Sequence, residues 1–447
     1  MVASSCLALL VMETRMNRSS FLRIGVKPLL AALSGWLFFG SVVQGQTGGV
    51  ASYATLGNPT TAIATLDGRY VFISVTNVGG PNFTGPDSVA NARHDVVSGL
   101  QIFRNADGAL KPYRFVPLGT PSANGLTLLP GDKPIVVGVG DAGVAFVNVH
   151  DAIHGKATPY FAGQGNGAGT FDVVVSPDGM YVFASNEYGV IDQSRGNIGI
   201  IAVHADPDGR VTHPETIGQL ATGDVVPSLA LSADGSRLYV ASELVPAHDP
   251  PQIASGGNPL LTKDDCVQKK KTPVQPNGFI TVIDTLRVID ARRRASSVLS
   301  RIAAGCSPVR LVETADSSAL FVSARGDNRI LVFSPRLMEA DPEHALLRGF
   351  SSNDEAPVGV RLFAQDCMLA VANSNRFADA PGSATIFSIS KSGEATKLQT
   401  PSAGGFPRNI TLSPDGRSLY LTNYTSRVLQ VISTRNFQPR KKRTGPP

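Results

Sequence analysis

Two glutamates and two arginines occupy matching places along this chain. Glu187 closes the run YVFASNE, Glu243 closes LYVASE, Arg325 follows LFVSA, and Arg408 stands just ahead of NITLSPDG. An arginine fork can hold a carboxylate or a developing oxyanion, and a glutamate can activate water or bind sugar hydroxyls. The same residue types also make ion pairs between neighbouring elements, so the pattern names candidates and leaves both uses open. Glu187 and Arg325 are the catalytic candidates, joined by His94 as a possible proton carrier; Arg408, Glu243, Asp95 and Asn423 are the ligand-binding candidates. His248, in PAHDPPQ, is a weaker relative of His94.

Several familiar chemistries leave no trace in the sequence. There is no GxSxG elbow, P-loop, HExxH pair or dinucleotide glycine motif. No cysteine and histidine spacing matches a structural zinc site, and DPDG at 206–209 is only a fragment of a calcium loop that a tight turn also explains. No metal and no cofactor is expected.

The candidates are ordered by a repeat. Segments such as TAIATLDGRYVFISVTN (61–77), FDVVVSPDGMYVFASNE (171–187), SLALSADGSRLYVASE (228–243) and NITLSPDGRSLYLTNY (409–424) each read as strand, tight turn and strand. Asp-Gly between apolar runs is a hairpin signal, because glycine accepts the positive φ that the turn requires. The turns centre on Asp67, Asp178, Asp234, Asp316, Asp366 and Asp415, and the double gap after Asp67 is filled by a degenerate unit turning near Gly131. Seven units result. A third strand follows each hairpin, as in GNIGIIAV (196–203) and GFITVID (278–284), and a weaker fourth follows most.

Four-stranded antiparallel units repeated seven times at about 50 residues specify an all-β, seven-bladed propeller, because radial closure protects the sheet edges. The last unit has only three strands, while VASYATL (50–56) is a strand without a hairpin. The N-terminal strand is therefore expected to complete the seventh blade. Only 284–296 and 335–346 look helical.

With strands lettered a to d outward, the b–c loops and the d-to-a connections share one face, here the top. Long b–c segments at 77–97, 188–196, 244–277 and 374–382 put the insertions there. Function usually sits on loops held by a rigid scaffold, so the top-face mouth of the axial channel is the candidate site. His94 and His248 fall on that face, whereas His150, His154, His204 and His213 fall at c–d segments on the other. Cys266 in the long loop of blade 4 and Cys306 in the top connection into blade 5 can meet as a disulfide; Cys367, in a bottom turn, cannot reach them.

The chain has 447 residues and a net charge of +5. Arg15, Arg18, Arg23 and Lys27 against Glu13 load the first 45 residues, Arg440, Lys441, Lys442 and Arg443 load the tail, and the body is left at −2. That distribution argues against nucleic-acid binding. The apolar run 29–43 behind Arg23 and Lys27 has the order of a secretory leader and is short for a membrane span. The expected organisation is a cleaved leader over 1–45, one propeller over 46–437 and a basic, solvated tail over 438–447, in a secreted or periplasmic monomer without an integral membrane domain.

SPDGMYVFASNE (176–187), SPDGRSLYLTN (413–423) and GFITVID resemble the repeats of YVTN-type seven-bladed propellers, which share the WD40-like architecture. ASNEYG (184–189), FVSARGDNRILVF (321–333) and GFPRNITLSPDGRSLYLTN (405–423) are similar to the lactonase-like branch related to 6-phosphogluconolactonase. The resemblance implies glutamate, arginine and histidine in the mouth, carried here by Glu187, Arg325 and Arg408, and a hydrolase opening a sugar-derived or organic-acid lactone. The family's histidine before an a strand is missing, since this chain reads NGAGTFDVVVSPDG at 166–179. Noncatalytic binding of a small anionic ligand or of a cell-surface component is the alternative.

Overall fold

The computed structural model describes residues 44–437, apart from 48, 80–96, 107, 132, 166–167, 188–195, 207–208, 247–250, 262–276 and 377–379. Seven antiparallel sheets follow one another in chain order, and the a strand of each packs beside the a strand of the next. The ring closes where Pro407–Leu412, the a strand of blade 7, meets Asn58–Ala64, the a strand of blade 1.

The Asp-centred turns form as their residue types require. In blade 4, Asp234 accepts hydrogen bonds from the Ser232 hydroxyl and the Ser236 N–H, which hold its carboxyl down to about 2. Gly235, at φ 72°, takes the left-handed place of the turn. Blade 6 departs from this pattern: Ala364, Gln365 and Asp366 are all left-handed, and the Asp366 carboxylate accepts instead from the Ala315 N–H of blade 5. A carboxylate that closes its own turn elsewhere here ties two blades together.

A second repeated device aims side chains at the axis. The a strand carries a bulge near its top in blades 1, 3, 5, 6 and 7. The extra residue breaks the ladder, and a b-strand hydroxyl accepts the N–H beside it: Ser74 from Thr61, Ser185 from Asp172, Ser323 from Arg310 and Thr422 from Asn409. Three of these hydroxyls also donate to a carbonyl of the next blade, at Asn124, Val358 and Thr60. A buried Ser or Thr thus satisfies the bulge in blades 1, 3, 5 and 7, and in blades 1, 5 and 7 it also stitches the ring.

The N-terminal strand completes blade 7 as expected. Val50–Ala54 pairs antiparallel with the c strand Val428–Ser433, and Gln44–Thr47 adds a fifth strand outside it. Tyr53 is buried there with Phe103, Tyr420 and Leu429. Deleting residues 50–56 should strip this closure and lower the melting temperature by many degrees, whereas deleting 438–447 should leave it almost unchanged. Circular dichroism melts of the two truncations make the comparison, and equal melting temperatures would deny the strand its closing role.

Helix is scarce. Thr285–Ile289 and Pro335–Ala340 fall where helix was expected, each shortened and followed by a 3-10 turn, and Val149–His154 was not foreseen. No helix among the described residues is long and apolar enough to cross a membrane.

The cysteines and the leader need a correction. Cys306, buried at the end of the blade 4 d strand with its N–H donating to Asp327, is disulfide-bonded, as is Cys367, while Cys266 lies outside the described residues. The expected Cys266–Cys306 pairing involves Cys266 and so falls outside the described residues. Residues 1–43 also lie outside it, and no observation on the fold supports a signal peptide or secretion.

Candidate active site at the channel mouth

Five charged side chains reach the top of the ring from five consecutive blades. Glu187 follows the b strand Tyr181–Asn186 of blade 3, Glu243 follows Arg237–Ser242 of blade 4, and Arg325 follows Leu320–Ala324 of blade 5. Arg376 comes three residues after Met368–Asn373 of blade 6, and Arg408 sits on the bulge of blade 7. The bulge turns Arg408 inward, and the same bulge in blade 3 turns Phe171 toward it.

Arg408 and Phe171 belong to blades that are not neighbours, so their contact crosses the axis. The Arg408 guanidinium lies 4.8 Å from the Phe171 ring centre and 4.8 Å from that of Tyr424. The stack extends at both ends: Arg310 lies 5.5 Å over Phe171, Tyr424 meets Phe406 edge-on at 5.6 Å, and Arg376 lies 5.6 Å over Phe406. Three cations and three rings, with Tyr424 and Phe406 in direct contact, form one chain of contacts across the ring from blade 5 to blade 6. Each such contact is worth about 0.5–2 kcal/mol, the larger values applying where water is excluded.

The charges are unevenly compensated. Arg325 donates to Glu243 at 2.6 Å, with the side chains only 9% and 12% exposed, so this pair bridges blades 4 and 5 almost out of water. Arg310 donates to the Pro227 carbonyl at 2.6 Å. Arg408, 5% exposed, makes no ion pair among the described residues, and burial lowers its pKa. Burial, and then repulsion from Arg325, brings Arg376 down to about 10.

Glu187 answers these cations without touching them. Its carboxyl makes no side-chain hydrogen bond or ion pair among the described residues, yet it shares the field of Glu243, Arg408, Arg376 and Arg325. Burial pushes its pKa up to about 7, Glu243 adds to the rise, and the three arginines oppose it. A carboxyl that gains and loses its proton near neutrality, beside buried arginines, has the means to exchange a proton next to an oxyanion.

The structure thus brings Glu187, Glu243, Arg325 and Arg408 into one mouth. Arg325 and Glu243 also realise the inter-blade ion pair that was the plainer expectation for them. Asn423 is placed differently: it is fully buried, accepts from the Gly404 N–H and donates to Gln430, within its own blade. His94, Asp95 and His248 lie outside the described residues. Sequence inspection missed Arg376, Phe171, Arg310 and Tyr424. The rule that picked out Glu187 and Glu243, a charge just past a b strand, would have reached Arg376 in NSNR had the count run two residues further.

The opposite face offers less. A cavity of about 380 Å³ opens between the turns of blades 5 and 6, lined in part by Asp316, Asp366 and Lys391. Both carboxylates are already engaged, Asp316 with Ser318 and Asp366 with Ala315. Among the described residues no three His, Cys, Asp or Glu side chains gather as a metal cage.

Fold and mouth together define the class as a seven-bladed β-propeller. No family model matches the chain, and no curated protein matches it in sequence. Among solved structures, it is similar to a chain of the mitotic checkpoint complex, at 13% identity over 91% of this chain and 99% of that one, with a TM-score of 0.56. The β-propeller domain of Cps50 (Swd1) from Myceliophteria thermophila is similar at 12% identity over 84% and 97%, with a TM-score of 0.54. The periplasmic gluconolactonase PpgL of Pseudomonas aeruginosa is similar at 19% identity over 75% and 88%, with a TM-score of 0.51. At these identities the likeness is one of fold, shared by gluconolactonase-type and WD40-type propellers alike.

Proposed function

We propose that the mouth binds a small sugar-derived or organic-acid lactone and hydrolyses it to the open carboxylate. The observation that carries this reading is the company Glu187 keeps: a carboxyl titrating at about 7 beside three arginines from three other blades. In its ionised form Glu187 takes a proton from water as the oxygen attacks the lactone carbonyl carbon. Arg408 and Arg376 hold the oxyanion that develops, the ring C–O bond breaks, the departing ring oxygen takes the proton back from Glu187, and the new carboxylic acid releases water's other proton to solvent. Glu243 holds Arg325 in place at the rim. The likeness to a gluconolactonase supports the same reaction class, and its periplasmic setting is the ground on which an extracytoplasmic location is proposed.

A panel of aldonolactones followed by proton release tests the proposal. Turnover above spontaneous hydrolysis, removed by Arg408→Ala, is expected. Binding of the corresponding aldonates without any turnover would instead favour a noncatalytic anion-binding propeller, the second reading, which the buried arginines also suit.

Arg408→Lys separates charge from shape. Lysine keeps the cation but not the planar face that stacks between Phe171 and Tyr424. The loss should be about 1.5 kcal/mol, or roughly tenfold in aldonate affinity by calorimetry. An unchanged affinity would take Arg408 out of the binding site.

A further inference from the structure

Four of the seven histidines gather at the c–d connections of blades 2 and 3, away from the mouth. His150 and His154 lie four residues apart on the helix Val149–His154, hence on one face, with ring centres 4.1 Å apart. Val149 and Ala152 bury the other face, so the helix is anchored and both rings are exposed to solvent. Each Nδ1 faces an oxygen. That of His154 is 2.7 Å from the His150 carbonyl, and that of His150 is at the longer distance of 3.4 Å from Asp151 Oδ1. Arg210, from the blade 3 c–d turn, reaches the same Asp151 oxygen at 3.4 Å and helps fix it.

An oxygen acceptor at Nδ1 holds the ring proton there and leaves the Nε2 lone pair outward. Metal-ligating histidines are oriented in this way, by a carboxylate or a backbone carbonyl behind the ring. We propose that His150 and His154 form a two-imidazole chelate for a divalent transition-metal ion, with both Nε2 atoms as ligands and water completing the coordination. Imidazole suits Cu2+, Ni2+ and Zn2+, with Cu2+ bound most strongly. Two imidazoles on one ion, at metal–nitrogen distances of about 2.0–2.1 Å, set their ring centres about 5 Å apart. The exposed rings need only swing outward by about 1 Å to meet that spacing. With two protein ligands the site is open and exchangeable, and the positive charge of Arg210 moderates its affinity.

A comparison is built into the fold. His204 and His213 face each other across the c and d strands of blade 3 with ring centres 6.2 Å apart, and neither ring makes a hydrogen bond among the described residues. They offer the same two imidazoles without oriented tautomers.

The full chain, stripped with chelator, would be titrated with Ni2+ at pH 7.5 in a non-coordinating buffer by calorimetry, and with Cu2+ by electron paramagnetic resonance. One dominant Ni2+ site is expected, weakened at least tenfold by His150→Ala and by His154→Ala, and barely changed by the His204→Ala/His213→Ala pair. The Cu2+ spectrum should show two nitrogen ligands that fall to one in either single variant. All four side chains are surface groups, and matching melting temperatures would show that the fold is kept. Ni2+ affinity unchanged in the His150→Ala/His154→Ala double variant, or lost only with His204 and His213, would overturn the assignment.

Discussion

Glu187→Gln is expected to lower lactone turnover by about two to four orders of magnitude, the usual range for a positioned general base. The wild-type rate should rise with pH through about 7 and then level, since only the ionised carboxyl accepts a proton from water. In the variant that inflection should vanish. The same carboxyl should also mark stability. Its pKa in the folded chain, about 7, lies above the ordinary value of 4.5, so the folded state binds the proton more tightly than the unfolded one. Stability contributed by the protonated form is fully present below about 4.5 and is lost as pH rises through about 7. Glutamine mimics the neutral acid, so the variant should melt higher than wild type at pH 8.5 and alike at pH 4. Turnover within threefold of wild type would remove Glu187 from the reaction, whatever the melting data show.

Glu243→Ala should be the most destabilising single change at the mouth, costing about 3 kcal/mol. Its partner Arg325 is 9% exposed and donates to it at 2.6 Å, so the truncation removes a carboxylate from beside a cation that water cannot easily reach. For a domain of this size the melting temperature should fall by roughly 5 °C. Replacing both residues by apolar ones, Glu243→Leu with Arg325→Met, should recover much of that loss, because a buried pair contributes little beyond the cost of burying it. Calorimetric melts of Glu243→Leu, Arg325→Met and the double variant close the cycle. A single variant as stable as wild type would mean that the pair is solvated after all.

The fold was legible because its signals are local and repeated. Each Asp-centred turn is closed by its own neighbours, as Ser232 and Ser236 close on Asp234, so six or seven residues suffice to announce a hairpin. Blade 2 was recovered from spacing alone, and its a strand proves to be only Leu126–Leu128. The mouth was legible in part. Glu187, Glu243 and Arg325 stand directly after b strands, where the repeat itself supplies the address. Phe171 and Tyr424 could not be chosen that way, because their importance lies in facing Arg408 from across or beside the axis, and apolar residues near strand ends are common in every blade. The pairing of Arg325 with Glu243 likewise depends on which two blades are neighbours at that height. Asn423 shows how narrow that address is: it is the last residue of its b strand, one place before the candidates' position, and its amide is engaged by Gly404 and Gln430.

The stack of Arg310, Phe171, Arg408, Tyr424, Phe406 and Arg376 spans the mouth. A propeller is often pictured as an open tube, but here a guanidinium held between rings of blades 3 and 7 lies across its axis. A neutral ring becoming an anion over buried arginines would be held more firmly after the reaction than before it. Departure, rather than bond breaking, would then set the tempo of the cycle, and salt, by loosening that hold, should quicken it.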